Sequence, residues 1–428
     1  MTPKTIAGIL LCALSACAQT LSLQQAIAMA LKTHPDMLAA TFRQENARAE
    51  SRNVHAALSP RIDATLGYYP TKTSVIPSNG AFTTRQSEAF HADVTASYLL
   101  WDFGRSDDRY RAALHKNSEA DANREASRNI LIEAVRLRYV TLAYLDALTV
   151  SEEQSLLFYL AQYERALHLR QNGLRTEADE SRFYALHSEA KERLESTRTE
   201  AAKTRLSLEL LIGSAETVRL SNDELERLAG DVVLSAGPEA LRKELSERNP
   251  TLKALRAQVD QARLQAEASG KERYGNVSLV ASYGYDNALS SYDSSLVGAV
   301  GTIPLYDGGK LNAQAQQSRI ALALAQKEYE SRERAAWEEL FGTYSDFIRA
   351  DAQIASKQKV IDATKKALDL MEGRYTQGLA TYVDVLESRS ALDAAVSDLA
   401  GAKFKKIAAW AHVQQLLNKG CENDVCND

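Results

Sequence analysis

Proline is scarce and unevenly placed. The 428 residues hold eight, at positions 3, 35, 60, 70, 77, 238, 250 and 304. None falls between 78 and 237, and none follows 304. From Arg105 to Asn172 glycine is missing too. Both helix breakers are thus absent from long runs of Ala, Leu, Glu, Arg and Gln, the good helix formers. One continuous helix over that stretch would be about 100 Å long at ~1.5 Å per residue. The counterpart Lys310 to Glu372 is interrupted only by Gly342. Helices of this length demand a bundle or coiled-coil partner.

Cysteine is nearly lacking, which excludes a disulfide scaffold. Cys12 and Cys17 lie near the start, and Cys421 and Cys426 lie in an acidic tail. The tail pair could form a disulfide in an oxidising compartment; as a lone C-x4-C it is weak evidence for zinc. The seven histidines are scattered, with no pair at i, i+4. There is no Walker loop, Gly-x-Gly-x-x-Gly, His-Glu-x-x-His or Gly-x-Ser-x-Gly. We therefore expect no catalytic residue, no cofactor and no metal, and read the many carboxylates as solvated helix faces. Basic excess is missing as well. The formal net charge is −5, with no dense Lys/Arg stripe, which argues against nucleic acid.

The start reads as an export signal over residues 1–18. Lys4 supplies the positive end, and Ile6 to Ala16 an apolar run too short to span a bilayer as a helix. Cleavage before Cys17 would follow the lipobox pattern Leu14-Ser15-Ala16-Cys17 and make Cys17 a lipid-bearing terminus. Cleavage after Ala18 would follow Ala16-Cys17-Ala18.

What is present is a repeat. Leu100-Trp101-Asp102-Phe103-Gly104-Arg105 lines up with Leu305-Tyr306-Asp307-Gly308-Gly309-Lys310, 205 positions on. Gly173-Leu174 lines up with Gly378-Leu379, and Asp179 with Asp384. Each long helix is expected to turn at its glycine, where the backbone goes left-handed, and to return as a shorter helix. The repeat divides the chain into 19–213 and 238–418, each with a helix pair, a strand hairpin and a helical hairpin. The strand hairpins are placed at 61–102 and 276–307, and the helical hairpins at 105–212 and 310–417. A linker, 214–237, joins the repeats, and 419–428 is the acidic tail.

The strand runs alternate with period two. Ile62, Ala64, Leu66 and Tyr68 alternate with Asp63, Thr65, Gly67 and Tyr69. Similar runs follow over 91–100 and 277–285; the fourth, 294–305, is apolar and broken by glycines, so its faces are less distinct, and polar loops are expected over 70–87 and 287–293. This pattern suits a membrane β-strand, and equally a soluble hairpin packed on a helix. Four strands cannot seal a barrel, so strands that cross a membrane would require an oligomer. A trimer would supply twelve. A periplasmic coiled-coil scaffold or adaptor without a membrane barrel is the alternative.

Tyr98 to Gly104, Ile303 to Gly309, the run Arg374 to Glu387, and Leu23 to Ala30 followed by His34-Pro35 together resemble the TolC-like outer-membrane efflux protein family. The resemblance implies a mainly α fold with a β-barrel portion: long antiparallel helical hairpins forming a periplasmic tunnel, and four strands per protomer in a trimeric 12-stranded transmembrane barrel. It implies a passive exit duct in outer-membrane lipid, part of a tripartite efflux or type I secretion system. Its partners would be two further copies, a periplasmic adaptor and an inner-membrane transporter. The adaptor would dock at the hairpin turns Gly173-Leu174 and Gly378-Leu379. The gate would be formed by Asp384, Glu387, Tyr375 and Asp179, with crowded carboxylates favouring partial protonation. The arginine that partners the family's tyrosine is Ala380 here, and Arg182 stands where the first repeat should carry its second acid.

Overall fold

The computed structural model describes residues 20–75, 80, 83–174, 176–214, 217–287 and 291–420. Cys17, Cys421 and Cys426 lie outside them, as does the whole of the expected export signal. Nine α-helices and four strands follow in order among the described residues: α1 Leu23–Thr33, α2 Pro35–Ala56, β1 Arg61–Val75, β2 Thr83–Trp101, α3 Arg105–Gln171, α4 Glu177–Ile212, α5 Glu224–Asp231, α6 Pro238–Arg248, α7 Pro250–Lys271, β3 Asn276–Asp286, β4 Tyr292–Thr302, α8 Lys310–Thr376 and α9 Tyr382–Leu416. The long helices α3 and α8 each have 67 residues.

Local chemistry sets the ends. The Ser22 side chain caps α1 and Asn249 caps α7, which begins with Pro250 where the missing N–H costs nothing. Asp102 accepts from the Ser106 amide at 2.8 Å, and Asp307 from the Leu311 amide at 2.6 Å. The two aspartates thus start α3 and α8 in the same way, 205 positions apart.

The chain divides into two compact units, and each takes residues from both repeats. One unit comprises the described parts of 1–37, 128–243 and 338–428. Its core packs Ala26, Ile27 and Ala30 with Ile132, Val135, Tyr139, Leu142, Leu208, Ile212 and Ile407. The buried Tyr139 hydroxyl lies 2.8 Å from both the Leu21 carbonyl oxygen and Glu224 Oε1. Helix α5 belongs to this core, with Leu225, Leu228 and Ala229 buried. Lys403 of α9 pairs with its Glu226, and Lys406 donates to the Ala229 carbonyl at 3.0 Å. The stretch 214–237 is therefore part of a packed unit as well as a connection. Its apolar residues recur at three- and four-residue spacing, which hides in so short a segment.

The other unit, 38–127 and 244–337, holds the sheet. The strands run antiparallel in the order β1-β2-β3-β4, leaving β1 and β4 as edges. The strands extend well into the expected loop: Pro70 to Val75 pair with Glu88 to Thr83. A proline inside a strand lacks the N–H that a ladder bond needs. Pro70 is tolerated because its position on the edge strand turns the missing N–H away from β2.

Directly opposed residues share a face, so the register sorts the sheet. Ile62, Leu66 and Tyr68 lie across from Ala96, Ala92 and Phe90; Val94 and Tyr98 lie across from Tyr283 and Leu279. The same face continues to Ala299 and Val297. It is apolar and open, with Ile62 71% and Leu66 76% exposed. The opposite face carries Asp63, Thr65, His91, Asp93, Thr95, Ser97, Ser278, Ser282 and Asp286. His91 Nδ1 lies 3.3 Å from Asp286 Oδ2 on that polar face.

Candidate functional site

The turns that end α3 and α8 are copies of one another. The Gly173 amide donates to the Arg170 carbonyl at 2.9 Å, and the Leu174 amide to the Leu169 carbonyl at 2.9 Å. The Gly378 amide donates to the Tyr375 carbonyl at 3.0 Å, and the Leu379 amide to the Arg374 carbonyl at 2.9 Å. Gly173 and Gly378 take φ of 72° and 74°, the left-handed closure that satisfies the last carbonyls of a helix. Leu174 and Leu379 are 70% and 65% exposed, so each turn presents an apolar tip.

The return helices also begin alike. Thr176 caps α4 and Thr381 caps α9, each in a reciprocal box with an aspartate three residues on. Asp384 accepts from the Thr381 amide and hydroxyl, both at 2.7 Å, and Asp179 accepts from Thr176 at 3.3 and 3.0 Å. Thr381 holds the Asp384 carboxyl below its ordinary range, first through its hydroxyl and then through its amide, with a smaller contribution from Arg374. Within one chain this runs against the partial protonation that crowding would favour. Asp384 stays charged, and its negative end meets the helix dipole favourably.

Tyr375 is drawn into an aromatic box that the sequence did not disclose. The Phe183 and Tyr382 rings meet edge to face at 4.1 Å, and Tyr375 packs on Tyr382 at 5.6 Å. The Arg165 guanidinium lies 5.4 Å from the Tyr375 ring centre. Tyr159, Ala166, Ala190 and Leu386 complete the cluster. It joins the two helical hairpins through α3, α4 and α9. The only advance signal was the four-residue spacing of Tyr382 with Leu386, which any buried helix face would show.

Beside the box runs a polar cavity of 470 Å³ lined by α3, α4 and α9. Arg182 and Glu387, which stand at equivalent positions of the two repeats but differ in charge, both line it, with Glu152, Glu189, Arg193 and Asp393. Burial pushes the Glu152 carboxyl up. It pushes Asp393 up too, although Arg389 and Ser155 oppose the shift. Ser155 donates to Asp393 at 2.8 Å, and Arg389 pairs with Asp393 at 2.9 Å while lying over the Phe158 ring at 5.0 Å. Among the described residues no group of three or more His, Cys, Asp or Glu is arranged to hold a metal.

The profile of the family described as outer membrane efflux protein matches residues 26–214 and 241–419. The chain belongs to the outer membrane efflux protein family. Like the repeat, the match falls in two blocks. Two curated relatives come from Pseudomonas aeruginosa. The pyoverdine export outer membrane protein OpmQ is 23% identical over 92% of this chain and 84% of that protein. The alkaline protease secretion protein AprF is 24% identical over 90% of this chain and 82% of that one. The crystal structure of the outer membrane protein VceC from Vibrio cholerae shares the fold with a TM-score of 0.80, at 20% identity, covering 92% of this chain and 96% of that chain. This outer membrane efflux protein is accordingly an outer-membrane protein extending into the periplasm, and its exposed apolar sheet face is the part suited to lipid.

Proposed function

We propose that this protein is a passive exit duct, a homotrimer serving a tripartite efflux or type I secretion system. The sheet carries the proposal. It pairs an exposed, mainly apolar face with a mainly polar one and ends in two open edges. In lipid each unpaired backbone N–H or C=O costs several kcal/mol, so an open edge is not viable there. Three copies of a four-stranded sheet close a twelve-stranded barrel, with the polar faces of Asp63, Asp93, Thr95 and Ser282 lining the lumen.

In this reading the helical hairpins form the periplasmic tunnel. A periplasmic adaptor engages the apolar tips Gly173-Leu174 and Gly378-Leu379, and an inner-membrane transporter drives export. Asp384, Glu387, Tyr375 and Asp179 form the constriction. The support is the place of Asp384 and Asp179 in the first turn of each return helix, of Tyr375 in the box between the hairpins, and of Glu387 on the cavity beside it. One relative exports pyoverdine and another serves alkaline protease secretion. A duct that suits both leaves the choice of cargo to the transporter.

Detergent extraction from outer membranes, sizing by native mass spectrometry and conductance in planar bilayers test the proposal. A conducting trimer is the expected result. A soluble, non-conducting monomer would overturn it in favour of a periplasmic scaffold.

A further inference from the structure

We propose that β4 of one copy pairs with β1 of the next in one register: Ala299 opposite Tyr68, Gly301 opposite Leu66, and Ile303 opposite Ala64. This rests on the trimeric reading above and goes further by fixing which residues meet at the seam.

The template lies inside the chain. The repeat has two offsets. Helices α1 and α6, α2 and α7, and the starts of β1 and β3 are all 215 positions apart. From β2 onward the offset is 205, as Trp101 and Tyr306 or Asp102 and Asp307 show. Hence β4 stands in the place of β2, and β1 in the place of β3. Within the chain β2 pairs with β3 as Val94 with Tyr283, Ala96 with Ala281 and Tyr98 with Leu279. Carrying those three pairs across the two offsets yields the three seam pairs.

Three observations agree with the parity of that register, and the repeat template selects it among the even shifts. The first is backbone direction. The Asn287 amide donates to the Phe90 carbonyl at 3.3 Å, so Phe90 and alternate residues of β2 turn their backbone groups to β3. Alternation along each paired strand then leaves Ala64, Leu66 and Tyr68 facing outward on one edge, and Val297, Ala299 and Gly301 on the other. The register joins Tyr68 with Ala299 and Leu66 with Gly301, and the same alternation carried past β4 brings Ile303 to Ala64. The second is face: Tyr68 and Ala299 lie on the apolar side of the sheet, as do Leu66 and Gly301. A shift by one residue would set apolar against polar.

The third is proline. Pro304 inherits the place of Leu99, which pairs with Ser278 at a position that makes no backbone bond to β3. Its missing N–H therefore loses nothing at the seam. Pro70, two residues beyond Tyr68, faces outward opposite Val297 and supplies no donor at that pair. The register also gives a partner to an otherwise bare segment. Leu305 and Tyr306 are 95% and 92% exposed. Their counterparts Leu100 and Trp101 form the bulge opposite Val277, and by the same rule Tyr306 comes opposite Ile62 of the next copy.

Disulfide trapping tests the register. In a Cys421→Ser, Cys426→Ser background, Thr65→Cys with Thr302→Cys places two thiols at a non-hydrogen-bonded seam pair, where Cα atoms are about 4.5 Å apart and a disulfide fits. Tyr69→Cys with Gly298→Cys reads the same register at a second place. Thr65→Cys with Val300→Cys reads a two-residue slip. Ser97→Cys with Val280→Cys is the positive control, since those residues oppose each other within one chain. We expect covalent dimers and trimers on non-reducing gels from the first two pairs, and at least tenfold less linking from the slipped pair. Linking of the slipped pair, or of none while native trimers persist and the control closes, overturns the register and leaves the trimer standing. Failure of the unsubstituted protein to form trimers overturns the duct reading itself.

Discussion

Arg182 and Glu387 occupy equivalent positions in the two return helices, 205 residues apart, and both line the same cavity. The repeat would otherwise place a glutamate or an arginine at both. As it stands, a cation offsets nearby carboxylates on one hairpin and an anion is retained on the other. If Glu387 belongs to the constriction, Glu387→Gln should lower cation selectivity in planar bilayers, and Arg182→Glu should raise it. Reversal potentials under a salt gradient measure both. The same reversal potential in both variants would remove Glu387 from the gate.

Asp384 does two jobs in this reading, capping α9 and charging the pore, and they can be separated. Thr381→Ala removes the hydroxyl that holds the carboxyl ionised but leaves the charge in place. Because the folded-state pKa is lowered, the cap stabilises above the unfolded carboxylate range and loses its effect as pH falls through the lower folded value. The Thr381→Ala protein should therefore lose stability relative to wild type near neutrality and converge with it in acid. Its ion selectivity should stay close to wild type, whereas Asp384→Ala should lose both. Thermal unfolding across the acid range, paired with reversal potentials, reads the two effects.

The architecture was legible wherever it depended on local rules. Missing Pro and Gly announced α3 and α8, the glycines at 173 and 378 announced their turns, and the 205-residue offset tied the copies together. Capping was legible in principle too, since Thr381 and Asp384 have the spacing of a reciprocal box. What stayed hidden depended on contacts between distant segments. The expected loop over 70–87 begins as strand because Pro70 lies on a free edge, which only the pairing of β1 with β2 reveals. Phe183, Tyr159 and Tyr382 come from three helices, and no periodicity in one helix reveals that they meet. Glu226 and Lys403 are likewise 177 positions apart, and the burial of Leu225, Leu228 and Ala229 that makes α5 a core element depends on equally distant neighbours.

His412 bridges two glutamates on different helices. Its Nδ1 lies 2.6 Å from Glu133 and its Nε2 3.0 Å from Glu339. Only the imidazolium form can donate to both. The pKa is raised, chiefly by the Glu133 hydrogen bond and then by the two carboxylate charges, with burial opposing. A raised folded-state value means that the stabilisation is full below the ordinary histidine range of about 6.5 and fades as pH rises through the folded value. Wild-type protein should melt at progressively lower temperature as pH rises above neutrality. His412→Gln should start lower and show a flatter profile. An equally steep alkaline decline in His412→Gln would show that some other group is responsible.

Gly275 and Gly378 both have positive φ, 77° and 74°, yet substitutions there should differ sharply in cost. A Cβ at Gly378 would meet nothing within 4 Å, so Gly378→Ala carries only the left-handed backbone penalty of about 1–2 kcal/mol. A Cβ at Gly275 would lie 1.9 Å from the Thr302 carbonyl oxygen. Relief requires the start of β3 to part from the end of β4, at the level where β4 must continue toward Ile303 to make the seam. Gly275→Ala should add ~2–4 kcal/mol through lost pairing and strain. It should reduce the yield of heat-resistant trimers, while Gly378→Ala assembles normally and melts only a few degrees lower. Semi-native gel electrophoresis over a temperature series compares them directly, and equal trimer yields would mean that the end of β4 gives way without disturbing assembly.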